Sequence, residues 1–280
     1  LVFQYTIQAG ETDSDGISIG ANALTLNSGT IRDAAGNGAT LTHSAVSANS
    51  SYKVDTTTPT VNSFTISDEL LTIGETATVD LVFSEAVASF ASGDDITVAN
   101  GSLDNMSSSD NITWAGTFTP NANTEEASNT LSLATSWTDL AGNAGPEETT
   151  EIYEVDTTAP TVSSVSTTAD NQSSVSITDN ISVTFSEAME PSYVTTSTSD
   201  TYCAGTIRVS SDNFSSCVKM SSEPASSNSN MTFTLDPYDN LTVSTTYKTI
   251  VTTGVRDTAG NALSSQYVTS SGFTTTPRVF

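Results

Sequence analysis

Apolar and polar residues alternate along most of this sequence, in short runs separated by turn-forming residues. In the run ATVDLVF, the apolar side chains Val79, Leu81 and Phe83 occupy every second position, as in a β-strand with one buried face. The other runs are similarly short and end at Gly, Pro, Asn, Asp or Ser, which favour turns. No stretch shows a convincing helical period, so the pattern predicts an all-β fold.

Residues 58–156 contain seven such runs, which is the strand number of the smaller type of Ig-like β-sandwich. We therefore predict one complete Ig-like domain with Greek-key connections, in which the acidic segment NANTEEAS is the loop after strand five. The predicted strands are TVNSFTIS, ATVDLVF, DITV, the stretch around GSLDNM, ITWAGTFTP, TLSLATSW and EIYEV.

Residues 157–280 repeat this plan with an insertion. Tyr247, at the start of the sixth strand of this third domain, is either a tyrosine corner or a plain core aromatic. Residues 1–57 contain only the later signatures of a domain, so we expect the C-terminal half of an Ig-like domain that begins upstream. The predicted strands are LVFQYTIQ and a run ending near SSYKV in the first unit, and TVSSVST, ISVTF, TIRVS, VKM, MTFTL, TTYKTIV and SGFTTT in the third domain.

Three signatures recur in the same order along the chain: a linker Asp, a Glu that follows Phe-Ser, and the Asp of a DxAGN turn. Copies spaced by about one hundred residues indicate tandem domains rather than a small solenoid repeat. The linker signature (DTTTPTV, DTTAPTV) begins at Asp55 and Asp156, the FSE signature holds Glu85 and Glu187, and the turn begins at Asp33, Asp139 and Asp257.

In a seven-stranded Greek key, odd strands lead away from the N-terminal end of the sandwich and even strands return to it. The FSE loop after strand two and the DxAGN loop after strand six therefore lie at the end where the linker enters. We expect one cluster of acidic and amide side chains at each domain junction. The members are Asp55, Glu85, Asp139 and Asn143 in the first cluster, and Asp156, Glu187, Asp257 and Asn261 in the second.

The loop after strand five lies at the opposite end and faces the next domain. It carries Glu11, Asp13 and Asp15 in the first unit, and Glu125 and Glu126 in the second domain. Each junction thus gathers carboxylates from both sides. The first of these loops, ETDSDG, matches the early positions of an EF-hand, but its twelfth residue is Asn22 and no flanking helices are predicted. A looser calcium loop and a solvated acidic turn both remain open for it.

Glu85 and Glu187 are in phase with the core-facing side chains that precede them. A carboxylate in that position needs a partner, and the chain has only 7 Lys and Arg in total. Clustered Asp, Glu and Asn oxygens suit a hard cation, and there is no Cys/His cluster for zinc. We predict Ca²⁺ in both clusters. The alternative is that the two Glu side chains accept backbone N–H groups and that DxAGN is only a turn.

The charge balance narrows the function classes. The 32 Asp and Glu residues against 7 Lys and Arg give a net charge of −25, which repels nucleic acid and anionic membrane surfaces. No apolar run approaches the length of a transmembrane helix. We therefore expect neither nucleic acid nor membrane insertion among the partners. A salt-tolerant acidic surface without specific sites would also account for the bulk charge.

Cys203 and Cys217 both lie in the insertion of the third domain. They would form a disulfide in an extracellular protein and remain free thiols in the cytosol. We favour the disulfide because the rest of the sequence is typical of a secreted protein. Catalysis has little support, since the single His43 is predicted to be a surface residue and acidic pairs are too common here to indicate an active site. We expect no enzyme activity.

The VDTTAPTV linker, FSEAV and DLAGN resemble the bacterial Ig-like repeats of very large secreted adhesins, and QAGETDSDGISIGANALTLNSGTIRDAAGN is similar to a marine-bacterial variety. The last domain, with ITDNISVTFSEAM, LTVSTTYKTIV and GVRDTAGNAL, resembles the Ig-like domain first described in S-layer proteins. The resemblance covers nearly the whole chain. It implies tandem β-sandwiches at the bacterial cell surface, commonly rigidified by calcium at the linkers, in which most repeats are spacers. The Cys-bearing insertion departs from the usual pattern.

We therefore predict a structural extender segment of a secreted bacterial surface adhesin or fibre, with the neighbouring domains of the same chain as its partners. In the alternative, the third domain binds a surface glycan or a protein through the insertion around Cys203 and Cys217. A solvent-exposed aromatic side chain among Tyr193, Tyr202 and Phe214 would favour that alternative. A third interpretation is an accessory domain of an extracellular enzyme.

Overall fold

The computed structural model describes residues 2–165 and 168–277, and these residues form an almost entirely β structure. The helical elements are a four-residue α-helix, α1 (Ser92–Asp95), and a single 3₁₀ turn at Pro191–Tyr193. The predicted all-β class is confirmed. None of the helices in the described residues is long and apolar enough to span a membrane.

The first unit contains two short strands, β1 (Thr12–Asp13) and β2 (Val54–Asp55), which pair antiparallel and bring the start of the unit beside its end. Isolated bridges join Ile19 to Val46 and Arg32 to Gly38. Most apolar side chains of this unit are exposed, and none of its described residues belongs to a buried hydrophobic cluster.

The second domain builds three sheets around one core. β3, β5, β8 and β7 form an antiparallel sheet in that order, β6, β10 and β11 form a second, and β4, β12 and β9 form a third. The strands are β3 (Val61–Ile66), β4 (Leu70–Leu71), β5 (Ala77–Phe83), β6 (Ile96–Val98), β7 (Gly101–Leu103), β8 (Thr113–Pro120), β9 (Glu125–Asn129), β10 (Leu131–Leu133), β11 (Glu148–Thr149) and β12 (Tyr153–Asp156).

The alternation in β5 places Val79, Leu81 and Phe83 in the core, where each is fully buried. The Trp137 ring packs against Phe83 with 4.4 Å between ring centroids, and the Tyr153 ring of β12 closes the other side against Phe118. Full burial of one such side chain stabilises the fold by about 1.5–3 kcal/mol. The period-two pattern of the sequence is therefore the pattern of this core.

The third domain has two sheets on the same plan. β13, β15, β18 and β17 form one sheet; β14, β21, β19 and β16 form the other, with β20 beside β19. Its strands are β13 (Val162–Val165), β14 (Ser173–Val175), β15 (Ile181–Phe185), β16 (Ile207–Ser210), β17 (Ala225–Ser227), β18 (Thr232–Leu235), β19 (Thr246–Val251), β20 (Tyr267–Val268) and β21 (Phe273–Thr275).

Tyr247 at the start of β19 is buried, and its hydroxyl accepts a hydrogen bond from the Thr242 backbone N–H at 2.9 Å. A tyrosine that binds the backbone a few residues upstream in this way is a tyrosine corner. Its ring also stacks on Phe273, with centroids 5.6 Å apart. Tyr247 is thus both a corner and a core residue.

Cys203 and Cys217 form a disulfide, as favoured from the sequence. The bond closes the insertion between the 3₁₀ turn and β17, and the Cys217 N–H donates to the Thr201 carbonyl at 2.8 Å. The loop between the two cysteines includes β16, whose Ile207 and Val209 belong to the core. The insertion is therefore joined to the sandwich rather than appended to it.

Three predictions of local structure are wrong. Residues 2–8 (VFQYTIQ) form no strand, because a strand needs a hydrogen-bonded neighbour and none lies beside them in the described chain. The run VKM contributes only one bridge, from Met220 to Pro237. The predicted loop NANTEEAS contains the start of β9, whose backbone pairs with β12. In that pairing, backbone hydrogen bonds to the linker strand override the polar composition.

Removal of the disulfide should destabilise the third domain alone. The two cysteines are 14 residues apart, and closing a loop of about 15 residues is worth about 3 kcal/mol of unfolding free energy. The double variant Cys203→Ala/Cys217→Ala should therefore lower the third domain's calorimetric transition. Both tryptophans lie in the second domain, so tryptophan fluorescence reports the unfolding of the second domain separately and should be unchanged. An unchanged third-domain transition in the variant would contradict this expectation.

Candidate metal centres at the domain junctions

Two groups of three carboxylates converge at the junctions, one per linker. In each group, one oxygen from every residue lies within 4.8 Å of the others. The first group lies where the first unit meets the second domain, and the second lies between the second and third domains. The groups are Asp55, Glu85 and Asp139, and Asp156, Glu187 and Asp257.

Three kinds of local structure position these side chains. The linker Asp ends a strand, β2 or β12. The Glu follows two residues after the central strand, β5 or β15. The turn Asp is held beside the Glu loop by backbone bridges, Val87 to Asp139 and Met189 to Asp257. Each domain therefore brings its own strand end and turn to the point where the chain enters it.

The turn Asp organises its own loop through one carboxylate oxygen. Asp139 Oδ1 accepts the N–H groups of Ala141, Gly142 and Asn143 at 2.7–2.9 Å. Asp257 Oδ1 accepts the equivalent N–H groups of Gly260 and Asn261 at 2.7 and 2.8 Å. The two junctions differ in the contacts of the second carboxylate oxygen, Oδ2.

Asp139 Oδ2 accepts a hydrogen bond from Asn143 Nδ2 at 2.7 Å. Asp257 is only 1% exposed, and its Oδ2 is buried without a hydrogen-bond partner among the described residues. A buried carboxylate oxygen without a partner is costly. This oxygen is thus the open position of the second cluster.

The two Asn residues position the linkers. Asn143 Nδ2 donates to the Asp55 carbonyl at 3.2 Å, and Asn261 Nδ2 donates to the Asp156 carbonyl at 3.0 Å. The Asn261 Oδ1 accepts the Ile73 N–H of the second domain at 2.9 Å. Asn261 thus positions the linker and contacts the preceding domain, and its role as a metal ligand stays a prediction.

The electrostatics of the second cluster are those of crowded, partly buried carboxylates. Burial raises the pKa of Glu187 to about 7, and the charges of Asp257, Asp156 and Glu125 add to the rise. Burial likewise raises the pKa of Asp156, against a hydrogen bond from the Thr158 N–H. The cluster thus retains a proton near neutral pH when no cation is bound.

The first cluster is more open. Burial raises the pKa of Glu85, with the charges of Asp55 and Asp139 adding to it. Burial also acts to raise the pKa of Asp139, but the hydrogen bonds from Asn143, Ala141 and Gly142 outweigh it and lower that pKa. Asp55 is exposed, whereas its counterpart Asp156 is buried.

The predicted ligands from the preceding units are only partly brought in. Glu125 pairs across the strands with Asp156 and acts on the pKa of both Asp156 and Glu187. Glu126 pairs with Val155 and so lies on the other face of this strand pair. Asp13 lines an open cavity together with Asp55 and Glu85, but its Oδ1 is engaged by the Gly16 N–H at 2.7 Å. Asp15 is exposed in the loop beyond.

A second device at both linkers was missed from the sequence. The Thr after each linker Asp binds the loop of the preceding unit: Thr56 Oγ1 donates to the Glu11 carbonyl at 2.9 Å, and Thr157 Oγ1 donates to the Asn121 carbonyl at 2.6 Å. The shared DTT of the linkers was the signal for it. His43, the one candidate for a catalytic base, accepts the Ala23 N–H through Nε2 within the first unit.

The metal-free third domain should lose stability as the pH rises. Glu187 has a pKa of about 7 in the folded chain against 4.5 for the free group, so the folded state binds more protons between these values and its unfolding free energy falls with pH. Calcium-stripped protein should melt at a lower temperature at about pH 8 than at about pH 5.

The variant Glu187→Gln isolates this contribution from general charge repulsion, because Gln does not titrate. The third-domain melting temperature should depend less on pH in the variant than in the wild type, as measured by scanning calorimetry. Equal pH dependence in both proteins would contradict the assignment.

Residues 55–155 and residues 156–275 each match a family model described as a bacterial Ig-like domain, through two different models. A comparison with curated proteins finds no significant match. Among solved structures, the Escherichia coli adhesin FdeC is 12% identical, with 85% of this chain and 70% of that chain covered and a TM-score of 0.42.

Part of the bacterial S-layer protein SbsC is also similar. Its N-terminal part is 21% identical, with 43% of this chain and 24% of that chain covered and a TM-score of 0.31. A mutated three-domain segment of titin is 13% identical over 78% of this chain and 65% of that chain, with a TM-score of 0.41. The chain spans 14% of the longer SbsC structures.

The two family matches meet at Asp156, the linker residue of the second carboxylate cluster. Each matched region contains its own buried core, and the second region begins at the residue after the first one ends. The chain therefore belongs to the bacterial Ig-like domain family and contains two such domains in tandem.

Proposed function

We propose that this chain is a spacer segment of a bacterial surface protein and that Ca²⁺ at its two junctions holds the domains in line. The observation that carries the proposal is the buried, unpartnered Asp257 Oδ2 beside Asp156 and Glu187. Three carboxylates at this distance repel each other. A hard cation, which prefers oxygen ligands, would neutralise the charge of all three. Such a site needs no Cys or His ligands, unlike a zinc site.

The positions of the ligands explain why metal binding would stiffen the chain. One carboxylate comes from the linker, one from the end of a core strand, and one from a turn. A cation that binds all three fixes the linker onto the domain that follows it. Glu125, opposite Asp156 on β9, adds a carboxylate from the domain that precedes it. The ion at the second junction would therefore contact both domains.

The distribution of charge adds a second reason. Residues 58–156 contain 17 Asp and Glu residues and no Lys or Arg. Such a domain has no internal cation to offset its self-repulsion, so divalent ions that bind the folded state stabilise it. A location at the cell surface fits a fold that depends on divalent ions for stability. The Cys203–Cys217 disulfide fits a secreted protein. Within this proposal the role is structural and not catalytic.

Calcium removal should lower the thermal stability and increase the flexibility of the chain. In about 1 mM Ca²⁺, a range that fills extracellular-type sites, small-angle scattering should report an extended particle. In chelator, the melting temperature should fall, because metal binds only the folded form. The scattering should become that of a chain jointed at the first junction. If neither quantity changes on chelation, the proposal is wrong.

Single-ligand variants test which residues bind. Glu85→Gln should weaken Ca²⁺ at the first junction, and Glu187→Gln should weaken Ca²⁺ at the second, each by at least about tenfold, while the other site is unaffected. The matched control is Glu148→Gln, which removes the same charge from an exposed position on β11. Isothermal titration that shows equal loss in the control would attribute the effect to bulk charge.

A second candidate function is glycan or protein binding by the third domain. The Tyr202 side chain, next to the disulfide, is 76% exposed, and Tyr193 is 47% exposed, whereas Phe214 is half-buried. Exposed aromatic rings on a stapled loop can stack on sugar rings or on a protein partner. Two residues after Cys217, the Lys219 Nζ lies 4.1 Å from the centroid of the exposed Tyr238 ring.

Binding through the insertion should depend on Tyr202. On a glycan array, the variant Tyr202→Ala should lose any signal that the wild type gives, while Tyr52→Ala keeps it. Tyr52 is a suitable control because it is also exposed, at 64%, but lies in the first unit. Retention of the signal by Tyr202→Ala would exclude this ring from the binding surface.

A further inference from the structure

We propose that Asn261 and Ile73 form a latch that holds the second and third domains in one relative orientation without metal. The Ile73 N–H donates to Asn261 Oδ1 at 2.9 Å, between residues 188 positions apart in the sequence. This bond crosses the second junction directly, from the edge of one sandwich to the entry turn of the next. The inference goes beyond the proposed calcium site, because the bond needs no ion.

The donor side of the latch is a rigid turn. The Glu75 N–H donates to the Thr72 carbonyl at 3.2 Å, which closes a four-residue turn over residues 72–75. Gly74, at the third position, has a φ of +84°, and Ile73, at the second, has a negative φ. The turn is therefore of type II. The Glu75 carboxylate accepts the Thr72 N–H and hydroxyl at 2.9 and 2.7 Å. The Ile73 N–H is left free to point outward.

The acceptor side is fixed equally well. Asn261 is buried, at 4% exposure. Its Nδ2 donates to the Asp156 carbonyl at 3.0 Å and its N–H donates to Asp257 Oδ1 at 2.8 Å. With a carbonyl on one side and an N–H on the other, only one orientation of the amide satisfies both contacts. Asn261 therefore joins the turn, the linker and the preceding domain in one network.

The first junction lacks this contact in the described part of the chain. Asn143 binds the linker carbonyl in the same way, but its amide oxygen has no donor there comparable to Ile73. An open cavity of ≈ 470 Å³, lined by Ile7, Leu140 and Ala141 among others, separates the first unit from this turn. The linker Thr contact is present at both junctions, so it does not distinguish them. In the absence of metal, the second junction keeps its geometry and the first does not.

The experiment removes the donor atom alone. Ile73 is the second residue of a type II turn, a position that favours proline, so Ile73→Pro deletes the N–H and preserves the turn. The matched control Ile73→Ala loses the side chain but keeps the N–H. Nitroxide labels on the exposed positions Ser102→Cys and Ser227→Cys report the distance between the two domains. All distances are measured in the full chain with chelator present.

The wild type and Ile73→Ala should give a narrow distance distribution, and Ile73→Pro should broaden it about two-fold or more, as expected for a freed junction. Asn261→Ala removes the acceptor and should broaden it similarly. The double variant should be no broader than Asn261→Ala alone, since the bond that Ile73→Pro deletes is already lost there. Tryptophan fluorescence checks that the second domain remains folded.

Three results would overturn the latch. They are a broad distribution in the metal-free wild type, an Ile73→Pro distribution as narrow as that of Ile73→Ala, and equal broadening in both variants. Because chelator is present throughout, none of these results depends on whether Ca²⁺ binds the carboxylates. Failure of the latch and failure of the calcium proposal are therefore distinguishable.

Discussion

Repulsion among carboxylates that the backbone forces together is the constraint on which both junctions depend. The linker Asp, the strand-end Glu and the turn Asp are each held by ladders or turn hydrogen bonds. One oxygen from each residue lies within 4.8 Å of the others. The repulsion is relieved only by a proton or a cation from the medium. The charge state of each carboxylate cluster therefore follows the pH and the cations of the medium.

The cores explain why the junctions matter so much. The buried hydrophobic residues form two separate clusters, one within residues 64–155 and one within residues 165–273. Each domain is stabilised by its own cluster, and no buried apolar contact joins the two clusters in the described residues. The relative orientation of the domains is thus set by short polar contacts: the linker strand, the Thr hydroxyl, the Asn amide and the carboxylates. Such contacts are directional and few, so each has a large effect on shape.

Much of this could be predicted from the chain alone. Period-two alternation identified β5, β8, β15, β18 and β19, because a strand with one buried face repeats every two residues. The repeated DTT, FSE and DxAGN signatures placed the three carboxylates of each junction at the same end of the sandwich, because Greek-key connections return even strands to that end. Spacing and topology were sufficient for those residues, since all three lie at the ends of predicted elements.

Tertiary structure alone decided the remainder. Residues 2–8 alternate like a strand but have no pairing partner in the described part of the chain. The polar segment at Glu125–Asn129 becomes β9 because β12 lies beside it. The Asn261 amide oxygen accepts the N–H of Ile73, a residue of another domain that no local pattern associates with it. Sequence periodicity records which face of an element is buried. It does not record which polar group a distant turn will present, since that depends on how two finished domains meet.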